Sequence, residues 1–541
     1  MTDKYGRDQF VIRFMDDTEI YWNDGKTQQP DMVYERRNWT ESGVQWSPYG
    51  SYLATLHRQG VAIWGGTAFK QLQKFAHPDV RRIDFSPNEK FLVTSSITKD
   101  KDDRLLLVIC VFDVRTGQKL RQFEGYPEDF LRHEDVRAGN LVWPIFKWAG
   151  GKEDLFFAKL ATSKTTGQAV ISVYECPDMG LLDKKSLKLD AVEYFEWSPS
   201  EPLMSIYHRE SQEGNIPAKI SLMQLPERKE IRQKNLFNVS SIEIFWHPQG
   251  DFLAVKVDRH TKTKKTIYTS FELFCIRERD IPMEVLELPN KTEKVLTFSW
   301  EPEGHRFVIV HGEGPRYNVS FYSMKDEKGR LSVKLLGSLK DKHCNAIFWS
   351  PKGKNVVLAG LKTMNGQFEF FNVDFFETMG QAEHFMATEV EWDPAGLFLA
   401  TSVTAVHQME NGFNMWTFQG RNLYRLPRDR FFQFSWRPRA ASLLTAEQNE
   451  AIRKNLPDKI KEWDREHVAR AEEANREVLE KRQRLRDEWK AWVESTAEWV
   501  AQQQAFKKEM MGNKYAEREF KMVEVTLTET ISVQDEIYKE V

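Results

Sequence analysis

The sequence predicts an all-β domain of nine repeated units, followed by a long C-terminal α-helix and a terminal strand segment. In eight units an apolar strand ends in Trp or Phe, and Pro follows two residues later; a ninth unit keeps the aromatic residue without the Pro. Repeats of about 40–50 residues built from paired strands are typical of β-propellers. We therefore predict a nine-bladed, WD40-like β-propeller. The aromatic residues of the pattern are Trp46, Phe85, Trp148, Trp197, Trp246, Trp300, Trp349, Trp392 and Trp436.

The residues after each aromatic side chain specify a turn. In segment 47–50, Ser, Pro and Gly occupy the first, second and fourth positions, and segment 350–353 repeats this order. Ser accepts a local backbone hydrogen bond, Pro fixes its own φ, and Gly permits the exit conformation, which together favour a type I turn. Apolar and polar residues alternate on both sides, so each unit begins with a β-hairpin.

Most units contain further strand-like segments after this hairpin. They lie at 61–66, 105–114, 170–176, 219–225, 271–276, 319–324, 368–373 and 413–418. Four short strands per unit, repeated about nine times, fit a propeller better than a sandwich. The alternative is a pair of unrelated β domains that share a turn motif.

The last unit lacks part of its strands. Its hairpin at 434–445 is followed by 446–456, which has no strand pattern. Three strand-like segments stand at the N-terminus: 9–14, 18–22 and 32–36. Because an open ring leaves an unpaired strand edge, we expect the two ends of the chain to share the last blade. Residues 1–446 then form one propeller domain, and residues 447–541 form a C-terminal arm.

The composition limits the class of protein. Of the 541 residues, 41% are apolar, which is enough for a large core. No run of 18 apolar residues predicts a membrane span, and no signal peptide opens the sequence. The four cysteines are far apart and mostly within strand patterns, which favours free core thiols in a reducing compartment. We therefore expect a cytoplasmic protein that does not contact membranes.

Charge is nearly balanced, with 77 basic and 80 acidic residues. A general nucleic-acid coat would be strongly basic. Two local basic groups remain, and most such groups are solvated loops. The first, in the fifth blade, is our candidate for ribosome or RNA contact and contains Arg259, Lys262, Lys264 and Lys265; the second contains Arg425, Arg428 and Arg430.

The sequence contains no nucleophile elbow, zinc-protease helix or phosphate-binding loop motif. The nearest segment, 312–317, has Tyr317 where a third glycine would stand and Pro315 where a helix would start. A tight turn explains this segment better. We therefore expect no active site, no metal, no cofactor and no small-molecule substrate, and we predict that the chain is not an enzyme.

The composition changes in the C-terminal arm. From Asp458 to Met511 the sequence is rich in Glu, Lys, Arg and Ala without Pro or Gly, which predicts one long helix. Segment 520–533 alternates as an isolated strand. An exposed apolar stripe on such a helix requires a covering surface, and a second protein is favoured over the chain's own propeller. The side chains predicted to bind this partner are Trp463, Leu485, Trp489, Trp492, Trp499, Phe506, Val523, Val525 and Leu527.

Several segments of the chain carry a family resemblance. They are TEIYWND (18–24), RRNWTESGVQWSPYGSYLATLHRQGVAIWGG (36–66), MGLLDKKSLKL (179–189), SLMQLPERKEIRQKNLFNV (221–239), GLKTMNGQFEF (360–370) and MWTFQGR (415–421). On these segments the chain closely resembles the b component of eukaryotic translation initiation factor 3, over essentially its whole length. Nothing like the aromatic motif of that family's RNA-recognition domain precedes Asp8. The resemblance is therefore to the propeller and the C-terminal arm.

The resemblance implies a non-catalytic scaffold subunit. It implies that the propeller contacts protein and rRNA of the small ribosomal subunit, that the arm binds the i and g subunits, and that the a component of the same factor binds elsewhere. Such a scaffold supports assembly of the pre-initiation complex, mRNA recruitment and scanning. The alternatives are the related propeller factor 2A, which lacks a helix followed by a strand after its propeller, and a generic WD-repeat scaffold.

Overall fold

The structure is a computed structural model, and it divides the chain into two compact units, Met1–Ala441 and Ser442–Val541. Within the second unit, side chains are described for only part of the helix. The residues that the structure describes are 6–26, 29–132, 135–136, 142–163, 167–210, 216–261, 266–288, 290, 293–326, 328–404, 411–440 and 442–511.

The first unit is a nine-bladed β-propeller, as predicted, with four antiparallel strands in every blade. Three strands precede blade 1: β1 (Gln9–Phe14), β2 (Asp17–Trp22) and β3 (Asp31–Arg37). Blade 1 contains β4 (Val44–Trp46), β5 (Leu53–His57), β6 (Gly60–Gly65) and β7 (Lys70–Ala76). Blade 2 contains β8 (Val80–Phe85), β9 (Phe91–Lys99), β10 (Leu105–Asp113) and β11 (Lys119–Gly125). Blade 3 contains β12 (Lys147–Trp148), β13 (Phe156–Thr162), β14 (Ala169–Glu175) and β15 (Gly180–Leu181).

The next three blades follow the same order. Blade 4 contains β16 (Val192–Trp197), β17 (Leu203–His208), β18 (Ala218–Gln224) and β19 (Lys229–Leu236). Blade 5 contains β20 (Val239–Trp246), β21 (Phe252–His260), β22 (Ile267–Cys275) and β23 (Met283–Glu287). Blade 6 contains β24 (Lys294–Trp300), β25 (Arg306–Gly312), β26 (Tyr317–Lys325) and β27 (Leu331–Lys342).

Two further blades and a single strand complete the ring. Blade 7 contains β28 (Ala346–Trp349), β29 (Asn355–Gly360), β30 (Gln367–Asn372) and β31 (Glu377–Glu383). Blade 8 contains β32 (Glu389–Trp392), β33 (Phe398–Val403), β34 (Gly412–Thr417) and β35 (Asn422–Pro427). The last strand is β36 (Phe431–Trp436). Short helical turns outside the strands include Pro127–Phe130, Leu182–Lys184 and Lys362–Met364.

Blade 9 is built from both ends of the propeller. Its strand order is β3-β2-β1-β36, and β1 pairs antiparallel with β36 so that Phe10 lies opposite Trp436. The side-chain amide of Gln433 then bonds to blade 1, accepting from Val44 N at 3.1 Å and donating to Val44 O at 2.7 Å. Strands from the N-terminus therefore supply three of the four strands of the closing blade.

The turns have the predicted type I geometry. Gly50 N donates to Ser47 O at 2.8 Å, and Gly353 N donates to Ser350 O at 2.8 Å. Gly50 has φ 67°, and a Cβ at this position would lie 2.2 Å from the carbonyl oxygen of Pro438 in blade 9. Glycine is therefore required here both for its left-handed backbone and for the close approach of the neighbouring blade.

Five tryptophans of the repeat connect their blade to the backbone of the preceding one. In five blades the indole N–H donates to a backbone carbonyl of the preceding blade, and the acceptor is always the residue before that blade's own aromatic residue. These bonds join Trp197 to Lys147 O (3.0 Å), Trp300 to Phe245 O (2.9 Å), Trp349 to Ser299 O (3.3 Å), Trp392 to Phe348 O (3.0 Å) and Trp436 to Glu391 O (3.2 Å).

The hydrophobic core is divided among the blade interfaces. Nine clusters of buried residues are present in the described part of the chain, one between each pair of neighbouring blades. The cluster between blades 5 and 6, for example, packs Phe298 against Phe271 and Trp300. Because no blade has a core of its own, each depends on both neighbours for burial of its apolar faces.

The C-terminal helix spans Ala446–Met511, so the predicted start at Asp458 is wrong by twelve residues. Thr445 and Gln448 form the cap. Gln448 N donates to the Thr445 hydroxyl at 3.2 Å, and Thr445 N donates to Gln448 Oε1 at 2.9 Å. This reciprocal cap satisfies two backbone donors at the first turn. Pro457, which directly precedes the predicted start at Asp458, lies inside the helix.

Replacing Trp300 by Phe should destabilise the ring more than replacing Trp46 by Phe. Both side chains are buried to the same extent, with 6% exposure. The Trp300 indole bonds to Phe245 O, whereas the Trp46 indole N–H has no hydrogen-bond partner among the described residues. We expect Trp300→Phe to lower the free energy of unfolding by about 1–2 kcal/mol more than Trp46→Phe in denaturant titrations. Equal losses would contradict the role of the inter-blade bond.

Candidate docking surfaces

Apolar side chains recur along the C-terminal helix at seven-residue steps. Seven residues are close to two helical turns, so these side chains lie along one side of the helix. These residues are Val478, Leu485, Trp492, Trp499 and Phe506. Each of them is 52–62% exposed to solvent. Trp489, on the same side, is 63% exposed. The predicted stripe is therefore present, and its large aromatic side chains are accessible.

The C-terminal half of the stripe is ordered by local contacts. The rings of Trp489 and Trp492 stack with centroids 5.1 Å apart and an interplanar angle of 29°. The hydroxyls of Ser495 and Thr496 each donate to Trp492 O at 2.8 Å. These hydroxyls are therefore satisfied by the helix itself, and they require no polar partner from a protein that covers the stripe.

Two valines that the sequence analysis missed widen this stripe. Val493 and Val500 follow Trp492 and Trp499 by one residue and are 43% and 41% exposed. Their own spacing of seven residues is the signal that could have identified them. The apolar surface at this end of the helix is therefore broader than a single line of side chains.

The opposite side of the helix is charged. At 100° per residue, Asp487, Glu494 and Glu498 lie across the helix from the tryptophans, and all three are exposed. An ion pair at four-residue spacing lies on the same side, Arg476–Glu480 at 3.7 Å. Such pairs add a few tenths of a kcal/mol each to the stability of the helix itself. One side of the helix is therefore suited to water and the other to a partner.

The remaining predicted docking residues are described less fully. Trp463 lies within the helix, and its side chain is outside what the structure describes. Val523, Val525 and Leu527 lie outside the described residues, as does the whole predicted strand at 520–533. Their part in docking stays a prediction.

The first basic group contains one described side chain, Arg259. Its guanidinium donates to Ser270 Oγ at 2.9 Å, to Phe237 O at 2.8 Å and to Glu272 Oε1 at 2.7 Å. It is 13% exposed. These contacts assign Arg259 to the internal structure of blade 5. Lys262, Lys264 and Lys265 lie outside the described residues.

The second basic group lies between blades 8 and 9. Arg428 pairs with Glu19 of β2 at 3.5 Å and donates to the Tyr21 hydroxyl at 3.4 Å. Arg425 and Arg430 are exposed. Arg428 therefore joins the last two blades, and this group has a structural role in addition to any contact with a ligand.

The described residues form no candidate metal centre, and the cysteine thiols are not activated. No group of three His, Cys, Asp or Glu side chains among the described residues is placed to hold a metal ion. The four cysteines are free thiols, and burial raises the pKa of Cys176 and Cys344 to about 12. A thiol with such a pKa is a poor nucleophile at neutral pH. No helix in the described part of the chain has the length and hydrophobicity of a membrane span.

Comparison with known proteins shows which family this chain is similar to. The model of the family described as "Eukaryotic translation initiation factor eIF2A" matches residues 234–434, and that of "WD domain, G-beta repeat" matches residues 69–106. A tobacco protein named as the B component of eukaryotic translation initiation factor 3 is 47% identical over 99% of this chain and 74% of its own length. The proteins of that name from Arabidopsis thaliana and Xenopus laevis are 48% and 40% identical, over 100% and 94% of this chain and 76% and 70% of their own lengths.

The chain belongs to the family of the B component of eukaryotic translation initiation factor 3. The predicted resemblance is confirmed, and the alignments to the tobacco and Arabidopsis relatives cover 99% and 100% of this chain, the C-terminal arm included. The eIF2A match, in contrast, is confined to the propeller. Membership makes the chain a subunit of initiation factor 3, a multisubunit complex, and not an enzyme.

One solved structure supports the propeller fold independently of these relatives. A structure titled "Crystal structure of the eukaryotic initiation factor" superimposes with a TM-score of 0.63, covering 81% of this chain and 99% of that chain. The two sequences are 18% identical, so the likeness shows the fold alone.

Proposed function

We propose that the chain is a scaffold of initiation factor 3 in the cytoplasm, with two docking surfaces of different chemistry. The C-terminal arm binds the i and g subunits through its apolar stripe. The propeller contacts protein and rRNA of the small ribosomal subunit, and the a component of the factor binds the chain elsewhere. By holding these components together, the chain supports pre-initiation complex assembly, mRNA recruitment and scanning.

The exposure of the stripe on the C-terminal helix carries this proposal. Trp489, Trp492 and Trp499 are each more than half exposed. Burying one large apolar side chain contributes on the order of 1.5–3 kcal/mol. Tryptophan is also among the residues that most often dominate binding energy at interfaces. Three tryptophans within eleven residues of one helix therefore form a strong anchor for a protein partner.

The charge of the helix favours a protein partner over a nucleic acid. Exposed acidic residues such as Asp487 and Glu488 alternate with basic residues such as Arg484 and Arg486 along the same turns. Nucleic-acid binding depends on a surplus of positive charge facing the phosphates. The stripe has no such surplus, and its aromatic and aliphatic side chains are those of a protein interface.

The propeller requires a different mode of contact with the ribosome. The whole chain has a formal net charge of −3, so no broad positive field is available to attract rRNA. Arg259 is held within blade 5 by its ion pair with Glu272. We therefore propose that the other members of the first basic group, Lys262, Lys264 and Lys265, contact the ribosome. Shape and a few local contacts then determine binding, with a shallower salt dependence than that of a basic coat.

Replacing Trp489, Trp492 and Trp499 together by Ala should abolish capture of the i and g subunits. Each substitution removes a large anchor worth about 2–4 kcal/mol of binding. The measurement is the dissociation constant of the full chain for each of these purified partners. The matched control replaces Asp487, Glu494 and Glu498 by Ala, which removes three side chains of the charged side and should leave binding within about twofold.

The melting temperature of the propeller tests the assignment of the stripe in the same variants. The account predicts that the tryptophan variant loses both partners while its propeller transition is unchanged. A variant that loses propeller stability and still captures both partners would show that the stripe serves the chain's own fold.

Reversing Lys262, Lys264 and Lys265 to Glu should weaken the affinity of the full chain for the small ribosomal subunit about tenfold at 0.1 M salt and reduce its salt dependence. The control reverses Lys70, Lys74 and Lys188, three exposed lysines of other blades. Affinity is measured by sedimentation or fluorescence titration. Unchanged affinity would remove the loop from the proposal, and an equal loss in the control would mean that only overall charge matters.

A further inference from the structure

Two turns of the propeller have a buried carboxyl group where four other blades have a hydroxyl: Glu301 in blade 6, which pairs with Arg306, and Asp393 in blade 8. Asp393 stands at the first position of the turn in blade 8, the position that Ser47, Ser86, Ser198 and Ser350 occupy in other blades. Its Oδ1 accepts from Leu397 N at 2.7 Å and from Phe398 N at 2.9 Å. Its Oδ2 is buried and has no hydrogen-bond donor among the described residues.

A second buried carboxyl group faces this one across the closing interface. Asp8 immediately precedes β1, is 6% exposed, and lies within hydrogen-bonding reach of the Asp393 side chain. Arg439 accompanies the two acids and donates from Nε to Asp8 Oδ1 and from Nη2 to Gly6 O at 3.0 Å. Two ionised carboxylates this close together would repel each other in a buried site.

One proton resolves both features of this cluster. A proton placed between the carboxyl groups gives Asp393 Oδ2 a hydrogen bond and removes the repulsion between two like charges. We propose that Asp8 and Asp393 share one proton near neutral pH, and that closure of the ring between blades 8 and 9 is therefore pH-sensitive. Without the proton, the two carboxylates repel each other at the junction that the N-terminal strands complete.

The electrostatics of the surrounding groups agree with this geometry. Burial raises the pKa of Asp393 to about 7, with the charge of Asp8 adding to the rise and Arg439 opposing it. Arg437, the other cation at this junction, donates to Gly50 O at 2.7 Å and to Gln9 Oε1 at 2.6 Å. Glu391 in the same interface accepts from Trp436 N at 3.1 Å, and burial raises its pKa to about 7.

The direction of the pH effect follows from these shifts. An aspartate whose folded pKa exceeds its unfolded value of about 3.9 binds more protons in the folded state between the two values. Its contribution to stability is therefore greatest in acid and is lost as the pH rises through the folded pKa. Since Glu391 titrates over the same range in the same direction, only a comparison with an Asp393 variant isolates the shared proton.

The test compares the full chain with Asp393→Ser, which restores the hydroxyl of the other blades, and with Asp8→Asn. Melting temperatures are recorded from pH 5 to pH 8.5, together with hydrogen-exchange protection factors for β1 and β36. We expect the melting temperature of each variant, relative to the parent chain, to rise by a few degrees between pH 5 and pH 7.5. Protection of β1 and β36 should fall with pH in the parent chain and change less in both variants.

Asp102→Ser serves as the control, since it removes an aspartate whose side chain is 78% exposed and should leave the pH dependence of the parent chain unchanged. Two variants are used because each removes one of the two carboxyl groups by a different substitution. The proposal is overturned if both Asp393→Ser and Asp8→Asn keep the pH dependence of the parent chain.

Discussion

The bond from a tryptophan indole to the backbone of the preceding blade determines much of this architecture. A four-stranded blade cannot bury its own faces, and in this chain the apolar clusters lie between blades rather than within them. An indole both fills such an interface and donates to a backbone carbonyl of the neighbouring blade, as Trp300 does to Phe245 O. The requirement for this residue at the same place in successive blades gives the sequence its period.

Each blade of the ring is stabilised by contacts with its two neighbours, so the stability of the ring depends on the junction that closes it. Here β36 pairs with β1, Gln433 bonds to blade 1, and Arg437 donates to Gly50 O across the same interface. All of these closing residues belong to the propeller, and none belongs to the C-terminal arm. No residue of the C-terminal helix takes part in strand pairing. The pairing that closes the ring is therefore made by the propeller's own strands.

Local patterns in the sequence predicted the repeat, the turn type and the N-terminal strands, because turn chemistry and alternation act over a few residues. The start of the helix was predicted wrongly because the prediction began the helix after Pro457, whereas Thr445 and Gln448 form the cap. Contacts between residues that are far apart in the sequence could not be predicted, because they have no local sequence pattern. The partners of Arg259 include Glu272 on a neighbouring strand, and Asp8 meets Asp393 only after the ring closes. The exposed stripe could be predicted because helical spacing is itself local.

Calorimetry of two truncated chains tests the central claim most directly, namely that the ring closes through its N-terminal strands and that the arm is independent of it. One chain lacks residues 1–37 and the other lacks residues 447–541. The account predicts that loss of the N-terminal strands abolishes the cooperative transition or lowers it by more than about 10 °C, while loss of the arm leaves it in place. The account would be contradicted if the chain without residues 1–37 melted like the parent chain. It would also be contradicted if the chain without residues 447–541 melted at a different temperature from the parent chain.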